Sequence, residues 1–265
     1  MAWCLKYQHD LINLSFTKYT SAYRLHQGIR SDRLFFKRPI LSRLLKRSFV
    51  IRFLNQLALS DKWLKLFKNW VLVLDKKDNE TVSEEELSKS YSTKKILLIR
   101  AWDISCPLAM QAKQNEIRLI FNPIQEIINK VSKFIGKLPE HDLLVGLHAR
   151  RGDYAKWEEG KYYFSWQLYK RWLQQTEVLL RERGKKFVFL ICSDEKPPRE
   201  IFSECNFHIS DLDAFSDLHL LSSCDLQLGP PSSFGSWAEF FGQTKRICLI
   251  DSSFKINVEE IFDES

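Results

Sequence analysis

The chain has 265 residues, 45% of them hydrophobic and 28% charged, and its nineteen Phe and eight Trp exclude a disordered protein. No apolar run approaches the ~20 residues of a membrane-spanning helix, and we expect no secretory signal at the start of the sequence. The formal net charge of +7 favours an anionic partner, so the candidate classes are nucleic acids, phosphate-bearing small molecules and lipid surfaces.

The first part of the chain is predicted to combine two strands with a basic helical stretch. "LINLSF" at 11–16 predicts a strand, and apolar residues at helical spacing over 39–72, with lysines and arginines between them, predict helix. The polar stretch 76–93 is interpreted as a loop or an excursion. "KKILLIRAW" at 94–102 predicts a buried strand.

From residue 115 onwards the predicted elements are more regular. "NEIRLIFNPIQEIINKVSKFIGK" predicts two helical segments that are interrupted at Pro123 and end at Gly136. The predicted strands that follow are "DLLVGLHA", "FVFLICSD", "DLQLGP" and "RICLID", and the helices between them are "SWQLYKRWLQQTEVLLRERGKK", "SDLHLLSSC" and "SSFGSWAEFFG". This alternation indicates βαβ units and a parallel sheet, in which ligands bind beyond the carboxyl ends of the strands.

The cysteines show neither a C-x-x-C pair nor a metal-like spacing, and they lie at positions 4, 106, 192, 205, 224 and 248. Cys192 and Cys248 lie inside apolar runs, where cysteine usually behaves as a small hydrophobic residue. We therefore expect reduced thiols and a cytoplasmic protein.

Basic and acidic side chains follow the strand "LLVGL", namely His148, Arg150, Arg151, Asp153 and Tyr154. The planar fork of arginine suits phosphate oxygens, and a neighbouring Asp can orient one guanidinium while the other reaches a ligand. In an extended chain Arg150 and Arg151 point to opposite sides, so we expect one to face a ligand and one to be structural. A solvated turn with surface ion pairs is the alternative, and an adhesion "RGD" has no secretory context here.

Two further strand ends carry polar residues. Ser193 and Asp194 follow "FLIC", where the Asp is able to bind a base or a ribose, or to start a turn or cap a helix. Ser232 or Ser233 in "GPPSSFGSW" begins a helix, whose N–H groups and partial positive charge suit a phosphate, with an ordinary N-cap as the alternative. With the double arginine, these residues predict a clamp for a diphosphate.

Other nucleotide and metal motifs are missing from the sequence. It contains no G-x-x-x-x-G-K-[ST] loop and no G-x-G-x-x-G after a strand. "DLD" at 211–213 is similar to the D-x-D of metal-dependent sugar transferases, but we expect it to cap the following helix. No cluster of His, Cys and Asp has the spacing of a metal site.

Two motifs resemble those of the α-1,2/α-1,6 fucosyltransferase and protein O-fucosyltransferase superfamily. "GLHARRGDY" resembles its H-x-R-R-x-D-[YW] motif, and "DLHLLSSCDLQLGPPSSFGSWAEFFG" resembles its later Ser-[ST]-Phe-Ser-x-Trp-Ala helix start. The resemblance covers residues 141–250, weakens over 96–140, and is greatest to bacterial members of the α-1,2 type. It implies an α/β, GT-B-like fold in which two Rossmann-like domains with parallel sheets use GDP-β-L-fucose without an obligatory metal or other cofactor.

The resemblance also implies domains and roles for residues. An acceptor-side domain would span 1–140, and a GDP-sugar-binding domain would span 141–265. Arg150 would bind the donor β-phosphate and stabilise the leaving GDP, while Arg151 and Asp153 would hold the loop. The remaining donor contacts would be the His148 backbone and Asp194, with Ser193 beside it, at the guanosine, and Ser232, Ser233 and Phe234 around the diphosphate.

The family reaction inverts the anomeric centre in one displacement, so a base must take the acceptor proton. Glu158 lies ten residues after His148, where the α-1,6 branch of the superfamily carries a catalytic Glu. We therefore expect Glu158 to be the base, with Glu159 as the alternate. A solvated carboxylate beside Lys156 and Lys161 is the other interpretation.

The sequence departs from the family pattern at its start. Family members open with a strand and a Gly-rich loop containing a G-N pair, whereas "MAWCLKYQHDLINLSFTKY" is similar to the end of the helix that follows them. We expect the first strand, the loop and most of that helix to be absent. Either the true start lies upstream, or the protein is shortened and its activity impaired.

Basic residues outnumber acidic ones between Arg24 and Lys76. This segment is either a helical excursion with a solvated face or a peripheral contact with the anionic inner face of a membrane that bears lipid-linked oligosaccharide acceptors. We expect no nucleic-acid partner, because no recognised binding module accompanies the charge.

The sequence thus predicts a cytoplasmic, metal-independent transferase that moves L-fucose from GDP-β-L-fucose to a glycan hydroxyl, such as one in a polysaccharide repeat unit. One alternative is a transferase that uses another GDP- or NDP-sugar. The other is a truncated, non-catalytic protein that binds a nucleotide or nothing.

Overall fold

The structure is a computed structural model. It describes residues 2, 6–7, 60–66, 69, 71–77, 80–91, 96–101, 103–203 and 206–262. By its contacts the chain divides into two compact units, Met1–Asn122 and Pro123–Ser265. The sequence predicted a division at residue 140 by role, into an acceptor-side domain and a GDP-sugar-binding domain. The contacts do not test these roles, so this division stays a prediction.

The first unit contains short helices and two pairs of parallel strands. In chain order its described elements are α1 (Asp61–Leu66), β1 (Val71–Asp75), β2 (Thr81–Ser83), α2 (Glu84–Tyr91), β3 (Ile96–Arg100), β4 (Asp103–Ser105) and α3 (Pro107–Ile120). Strand β1 pairs with β3, and β2 pairs with β4, in both cases in parallel.

Residues 76–93, which we predicted to be a loop, contain strand β2 and helix α2, so that prediction is wrong. Helix α2 begins where the Ser83 hydroxyl accepts a hydrogen bond from the Glu86 N–H at 3.1 Å. The carboxylates of its first turn stabilise the helix because they lie at the positive end of its dipole. Leu87 is the one buried residue of this helix, so its apolar pattern was too sparse to be recognised.

The strand predicted at 94–102 is confirmed as β3, although its residues are only partly buried and Ile96 is exposed. The helix predicted over 39–72 contains α1, but its last two residues belong to strand β1. The part of that stretch before residue 60, the strand predicted at 11–16 and most of the basic segment 24–76 lie outside the described residues. No helix in the described part of the chain is long and apolar enough to cross a membrane.

The second unit alternates helices and strands. Its elements are α4 (Gln125–Ile135), β5 (Leu143–Ala149), α5 (Trp166–Glu182), β6 (Phe187–Ser193), β7 (Phe207–Ile209), α6 (Ala214–Ser222), β8 (Leu226–Gly229), α7 (Ser233–Gly242), β9 (Lys245–Cys248) and α8 (Val258–Ile261). Three short 3-10 helices cover Gly152–Ala155, Trp157–Gly160 and Arg199–Phe202. All strands and helices predicted from residue 115 onwards are confirmed. The short β7 and α8 were not predicted, because they span less than the pattern needs.

The strands of this unit form one parallel, five-stranded sheet in the order β7-β6-β5-β8-β9. Val145 of the central strand β5 lies opposite Phe189 of β6 and Leu226 of β8. The order runs outward from β5 to β7 on one side and then returns to β8 and β9 on the other, as in Rossmann-like sheets. The predicted α/β class with parallel sheets is therefore confirmed.

Helices cover both faces of this sheet, which explains why its strands are almost continuously hydrophobic. On one face Leu147 and Phe189 belong to a core cluster with Trp172 of α5. On the other face Leu144 and Leu221 share a cluster with Val188 and Leu190. Since both faces are filled by side chains, a ligand has room at the carboxyl edge of the sheet rather than on a face.

Candidate functional site

Three loops meet at the carboxyl edge of the sheet in the second unit, and they follow β5, β6 and β8. The strand order reverses between β5 and β8, and such switch points carry the ligand-binding crevices of Rossmann-like sheets. A Cβ on Gly229 would lie 2.8 Å from the carbonyl oxygen of His148, so only a glycine lets these two strand ends approach so closely.

Arg151 is buried at this edge and is 7% exposed. Its Nε donates to the Glu195 carboxylate at 2.7 Å, its Nη2 donates to the Tyr163 hydroxyl at 2.6 Å, and its Nη1 donates to the Phe164 carbonyl. Its guanidinium also lies 4.2 Å and 4.7 Å from the ring centres of Tyr163 and Trp166. Every nitrogen of this buried guanidinium contacts a protein group. That Arg151 holds the loop rather than a ligand stays a prediction.

Arg150, in contrast, has a side chain that is 34% exposed. Its Nε and Nη2 contact the two carboxylate oxygens of Asp153 at 2.9 and 3.0 Å, and its Nη1 lies 3.2 Å from Asp194. An arginine side chain has five N–H donors. One N–H on each terminal nitrogen of Arg150 is therefore left for a ligand.

The loop after β6 orients both arginines. One oxygen of the Asp194 carboxylate accepts a hydrogen bond from the Arg151 backbone N–H at 2.8 Å, and the other faces Arg150. The Ser193 hydroxyl donates to the carbonyl of the last residue of β5 at 2.7 Å. A Cβ on Gly152 would lie 2.8 Å from Asp194, so the glycine permits the two loops to pack together.

The loop after β8 leads into helix α7. The Ser232 hydroxyl caps this helix by accepting a hydrogen bond from the Gly235 N–H at 2.9 Å. Ser233 is exposed on the first turn. Ser233 and Phe234 are the first two residues of α7, so their backbone N–H groups have no acceptor within the helix. These two donors lie at the positive end of the helix dipole, where an anion is favoured.

His148 is buried between strand β5 and the start of α7. Its ring stacks on Phe234 with 4.7 Å between the ring centres, and its Nδ1 lies 3.3 Å from the Ser232 hydroxyl oxygen. Burial, together with the positive charges of Arg150 and Arg246, lowers the pKa of His148 to about 3. The imidazole is therefore neutral at neutral pH, and its contacts link β5 to the start of α7.

Tyr154 joins the loop after β5 to the loop after β8. Its hydroxyl donates to the Pro231 carbonyl, and the residue is 7% exposed. The Arg150 guanidinium lies 6.0 Å from the centre of its ring. Two motifs that are about 80 residues apart in the sequence therefore form one structure at the β5–β8 crevice.

Arg246 of β9 is a member of this site that the motif analysis missed. Its side chain is 8% exposed, and it donates to the Pro230 carbonyl at 2.7 Å and to the Ser236 hydroxyl at 3.2 Å. A Cβ on Gly235 would fall 2.8 Å from its Nε, so the guanidinium packs directly against the first turn of α7. In the sequence, the small residue Gly235 was the signal for a close neighbour at the start of α7. That this neighbour is Arg246 becomes apparent only when β9 and α7 are known to be adjacent.

Glu158 and Glu159 lie on an exposed turn that follows the arginine loop. Both have left-handed backbone conformations, with φ of 47° and 57°, and Gly160 follows with φ of 78°. With Lys156 and Lys161 the two glutamates line an open concavity of about 690 Å³. A catalytic base and a solvated carboxylate both fit this position, so the role of Glu158 stays a prediction.

The "DLD" tripeptide caps a helix, as expected. Asp213 accepts hydrogen bonds from the N–H groups of Phe215 and Ser216 at 3.2 and 3.1 Å at the start of α6. Across the residues that the structure describes, no three His, Cys, Asp or Glu side chains are grouped so that they could hold a metal ion. Donor binding without a metal stays a prediction.

A Rossmann-like sheet whose switch point carries a partly exposed arginine, a capped helix start and an oriented carboxylate has the features of a binding unit for a nucleotide or another phosphorylated ligand. The sequence makes the assignment more specific, because a family model matches residues 69–261. The chain belongs to glycosyl transferase family 11. The predicted membership of the fucosyltransferase superfamily is thereby confirmed.

Three solved fucosyltransferases resemble the chain at low identity. The NodZ alpha-1,6-fucosyltransferase soaked with GDP-fucose is 13% identical, with a TM-score of 0.47 over 91% of this chain and 85% of that one. A mutant of FUT1 from Arabidopsis thaliana in complex with GDP is 12% identical, with a TM-score of 0.45 over 76% of this chain and 57% of the FUT1 chain. POFUT1 in complex with GDP is 14% identical, with a TM-score of 0.40 over 63% of this chain. The match spans only 59% of the length of the POFUT1 chain. A comparison with curated protein sequences finds no match.

Proposed function

We propose that the protein transfers L-fucose from GDP-β-L-fucose to a hydroxyl of a glycan, with inversion at the anomeric carbon. Membership of glycosyl transferase family 11 supports glycosyl transfer. The choice of a diphosphate donor rests on one observation, the exposure and the hydrogen-bond partners of Arg150. It is partly exposed, oriented by Asp153 and Asp194, and has two N–H groups left for phosphate oxygens.

In this proposal the diphosphate lies between Arg150 and the first turn of α7. Ser232, Ser233 and Phe234 form that turn, and the backbone N–H groups of the last two offer donors to an anion. Arg246 adds a positive charge behind the turn. Preorganised positive groups of this kind stabilise the charge that develops on GDP as the sugar departs, so the proposed mechanism does not rely on a metal ion.

Guanosine would bind beside the His148 backbone and the Ser193–Asp194 loop. The Asp194 carboxylate suits the N–H groups of guanine or the hydroxyls of ribose, because an ionised carboxylate only accepts hydrogen bonds. One of its oxygens is already fixed by the Arg151 N–H, and the other is shared with Arg150. A nucleoside that takes the second oxygen would release another guanidinium N–H towards the phosphates.

Inversion in a single displacement needs a base that takes the proton of the acceptor hydroxyl. We assign this role to Glu158, with Glu159 as the alternate, because both carboxylates line the concavity next to the arginine loop. Asp153 and Arg151 do not react in this scheme. They hold Arg150 and its loop in place.

A thermal-shift experiment with GDP, GDP-fucose, GDP-mannose and UDP tests the donor. We expect the guanine nucleotides to raise the Tm and UDP to leave it unchanged. Arg150→Ala should abolish the shift by GDP, since it removes the phosphate contact. Arg199→Ala, at an exposed arginine after β6, is the matched control and should keep the shift. A GDP shift that survives in Arg150→Ala would show that the diphosphate binds elsewhere.

The thermal shifts, together with an assay of fucose transfer, separate the alternatives. Stabilisation by a non-guanine nucleotide alone would indicate a transferase with another donor, and a GDP shift without transfer would indicate a non-catalytic nucleotide-binding protein. We propose that the acceptor is a glycan or a lipid-linked oligosaccharide that is reached from the cytoplasm at the inner face of the membrane. The proposal includes no nucleic-acid partner.

A further inference from the structure

We propose that the turn at 156–161 is a subsite that holds an uncharged pyranoside acceptor against the ring of Trp157. The inference rests on the proposed transferase function, since it places an acceptor beside the donor crevice. Trp157 is 43% exposed, whereas tryptophan is usually well buried. Tryptophan combines an apolar ring with a polar N–H, and it is enriched at binding interfaces.

Trp157 is held in place by aromatic neighbours that connect it to the donor loop. Its ring centre lies 4.8 Å from that of Tyr154 and 5.4 Å from that of Tyr162. Tyr154 is buried and donates to the Pro231 carbonyl. The ring centre of Tyr162 lies 6.4 Å from that of Phe164, which belongs to the core. Because the indole is packed on these rings, binding a ligand to its exposed part costs little additional side-chain entropy.

The side chains that flank Trp157 in the sequence are polar and balanced in charge. Lys156, Glu158, Glu159 and Lys161 line the open concavity of about 690 Å³. The carboxylates accept hydrogen bonds and the ammonium groups donate them, which matches the two needs of sugar hydroxyls. Two positive and two negative side chains favour an uncharged ligand whose C–H face packs on the indole, rather than an anionic one.

A protein partner fits this surface less well. The core of a protein interface is broad and depleted of charge, whereas the concavity at this turn is lined by four charged side chains from residues on both sides of Trp157 in the sequence. The chain of contacts from Trp157 through Tyr154 to Pro231 also makes the turn continuous with the proposed diphosphate crevice. An acceptor bound at this turn would have the Glu158 carboxylate within the same concavity.

Saccharide binding to Trp157 variants tests the subsite. Titrations followed by saturation-transfer NMR would use lactose, chitobiose and methyl α-D-mannopyranoside as uncharged probes and methyl β-D-glucuronide as a charged one, all in the presence of GDP. We expect at least one uncharged probe to bind the wild type and Trp157→Phe. Trp157→Ala should weaken that binding about tenfold, the size of a strong aromatic contact. Val178→Ala, at another exposed apolar residue of the same unit, is the control and should bind as the wild type does.

Three results would overturn the subsite: no uncharged probe binds the wild type, Trp157→Ala binds as tightly as the wild type, or the glucuronide binds in preference to the uncharged sugars. GDP affinity, measured in parallel, should be equal in the wild type and Trp157→Ala, and an equal loss of GDP and saccharide binding would also contradict the proposal. A wild type that binds a saccharide through Trp157 but no GDP would contradict the proposed function alone, so the two failures are distinguishable.

Discussion

The two adjacent arginines of "HARRGDY" have different surroundings. Arg151 is 7% exposed, and its guanidinium contacts a carboxylate, a hydroxyl and a carbonyl. Arg150 is partly exposed and is held by Asp153 and Asp194. A buried charge needs a complete set of partners, whereas a partly exposed one is able to exchange a partner for an anion. The alternation of side chains predicted that one arginine faces a ligand and one is structural, and the family resemblance assigned the donor to Arg150; both roles stay predictions.

Arg246 should strengthen phosphate binding without touching the nucleoside. Arg246→Gln removes the charge behind the first turn of α7, so we expect the affinity for GDP to fall about tenfold, equivalent to ~1.4 kcal/mol. Calorimetric titration with GDP and with guanosine measures the effect on each ligand.

The guanosine titration is the control, because guanosine lacks the phosphates on which the charge acts. Arg246→Lys keeps the charge and should recover most of the GDP affinity, although a lysine does not reproduce both hydrogen bonds. If Arg246→Gln lost GDP and guanosine affinity equally, Arg246 would act only by supporting the loop.

The buried carboxyl of Asp217 should make stability depend on pH. Burial raises the pKa of Asp217 to about 6 although the Ser210 hydroxyl donates to it. The folded protein therefore binds this proton more tightly than the unfolded chain, so the contribution of Asp217 to stability is greatest below the unfolded pKa of 3.8 and is lost as the pH rises through about 6. The change amounts to about 3 kcal/mol.

Urea unfolding of the wild type and Asp217→Asn between pH 4 and pH 7 measures this contribution. The amide does not titrate and is able to accept the Ser210 hydrogen bond. We expect the wild type to lose stability relative to the variant across this range. A difference in the free energy of unfolding that is the same at every pH would show that Asp217 keeps an ordinary pKa.

At the scale of elements, the start of α7 has both a structural and a proposed binding role. The Ser232 hydroxyl caps the helix, so Ser232→Ala should cost about 1 kcal/mol of stability. It should also weaken GDP binding, because the turn that presents N–H groups to the diphosphate loses its cap and its contact with His148.

Ser165→Ala is the matched control for this prediction. Ser165 caps α5 in the same way, by accepting a hydrogen bond from the Leu168 N–H at 3.2 Å, but that helix start carries no proposed ligand. Both variants should lose a similar amount of stability in chemical unfolding, while Ser232→Ala alone loses GDP affinity. Equal GDP affinity in the two variants would rule out a binding role for the start of α7.

The elements that sequence patterns predicted well are those that bury much apolar surface. Strand β6 is buried along almost its whole length, and α5 buries Trp172 and four other residues, so both have strong patterns. Helix α2 buries Leu87 alone and β7 has three residues, so neither has enough periodic positions to be recognised. The residues of the site divide in the same way into predicted and missed ones. The motif residues at strand ends were predicted, but Arg246 depends on a contact between β9 and α7 that no local pattern encodes.

At the scale of the whole molecule, the topology of the second unit brings the site together. The three loops come from residues near 150, 194 and 232, and they meet because β6, β5 and β8 are neighbours in one parallel sheet. Parallel strands end at the same edge, so the motif residues that follow these strands lie on one side of the sheet. The function proposed for this unit requires a donor at the β5–β8 crevice and an acceptor at the adjoining turn.

Release of GDP from a sugar donor tests the central claim most directly. The purified protein would be incubated with GDP-fucose or GDP-mannose, a chelator and the uncharged saccharide that binds most tightly, and the products followed by phosphorus NMR. We predict that GDP accumulates from GDP-fucose but not from GDP-mannose, and that Arg150→Ala abolishes its release. Intact GDP-fucose after incubation with the wild type, or equal release by Arg150→Ala, would contradict the assignment of a fucosyl transfer that depends on Arg150.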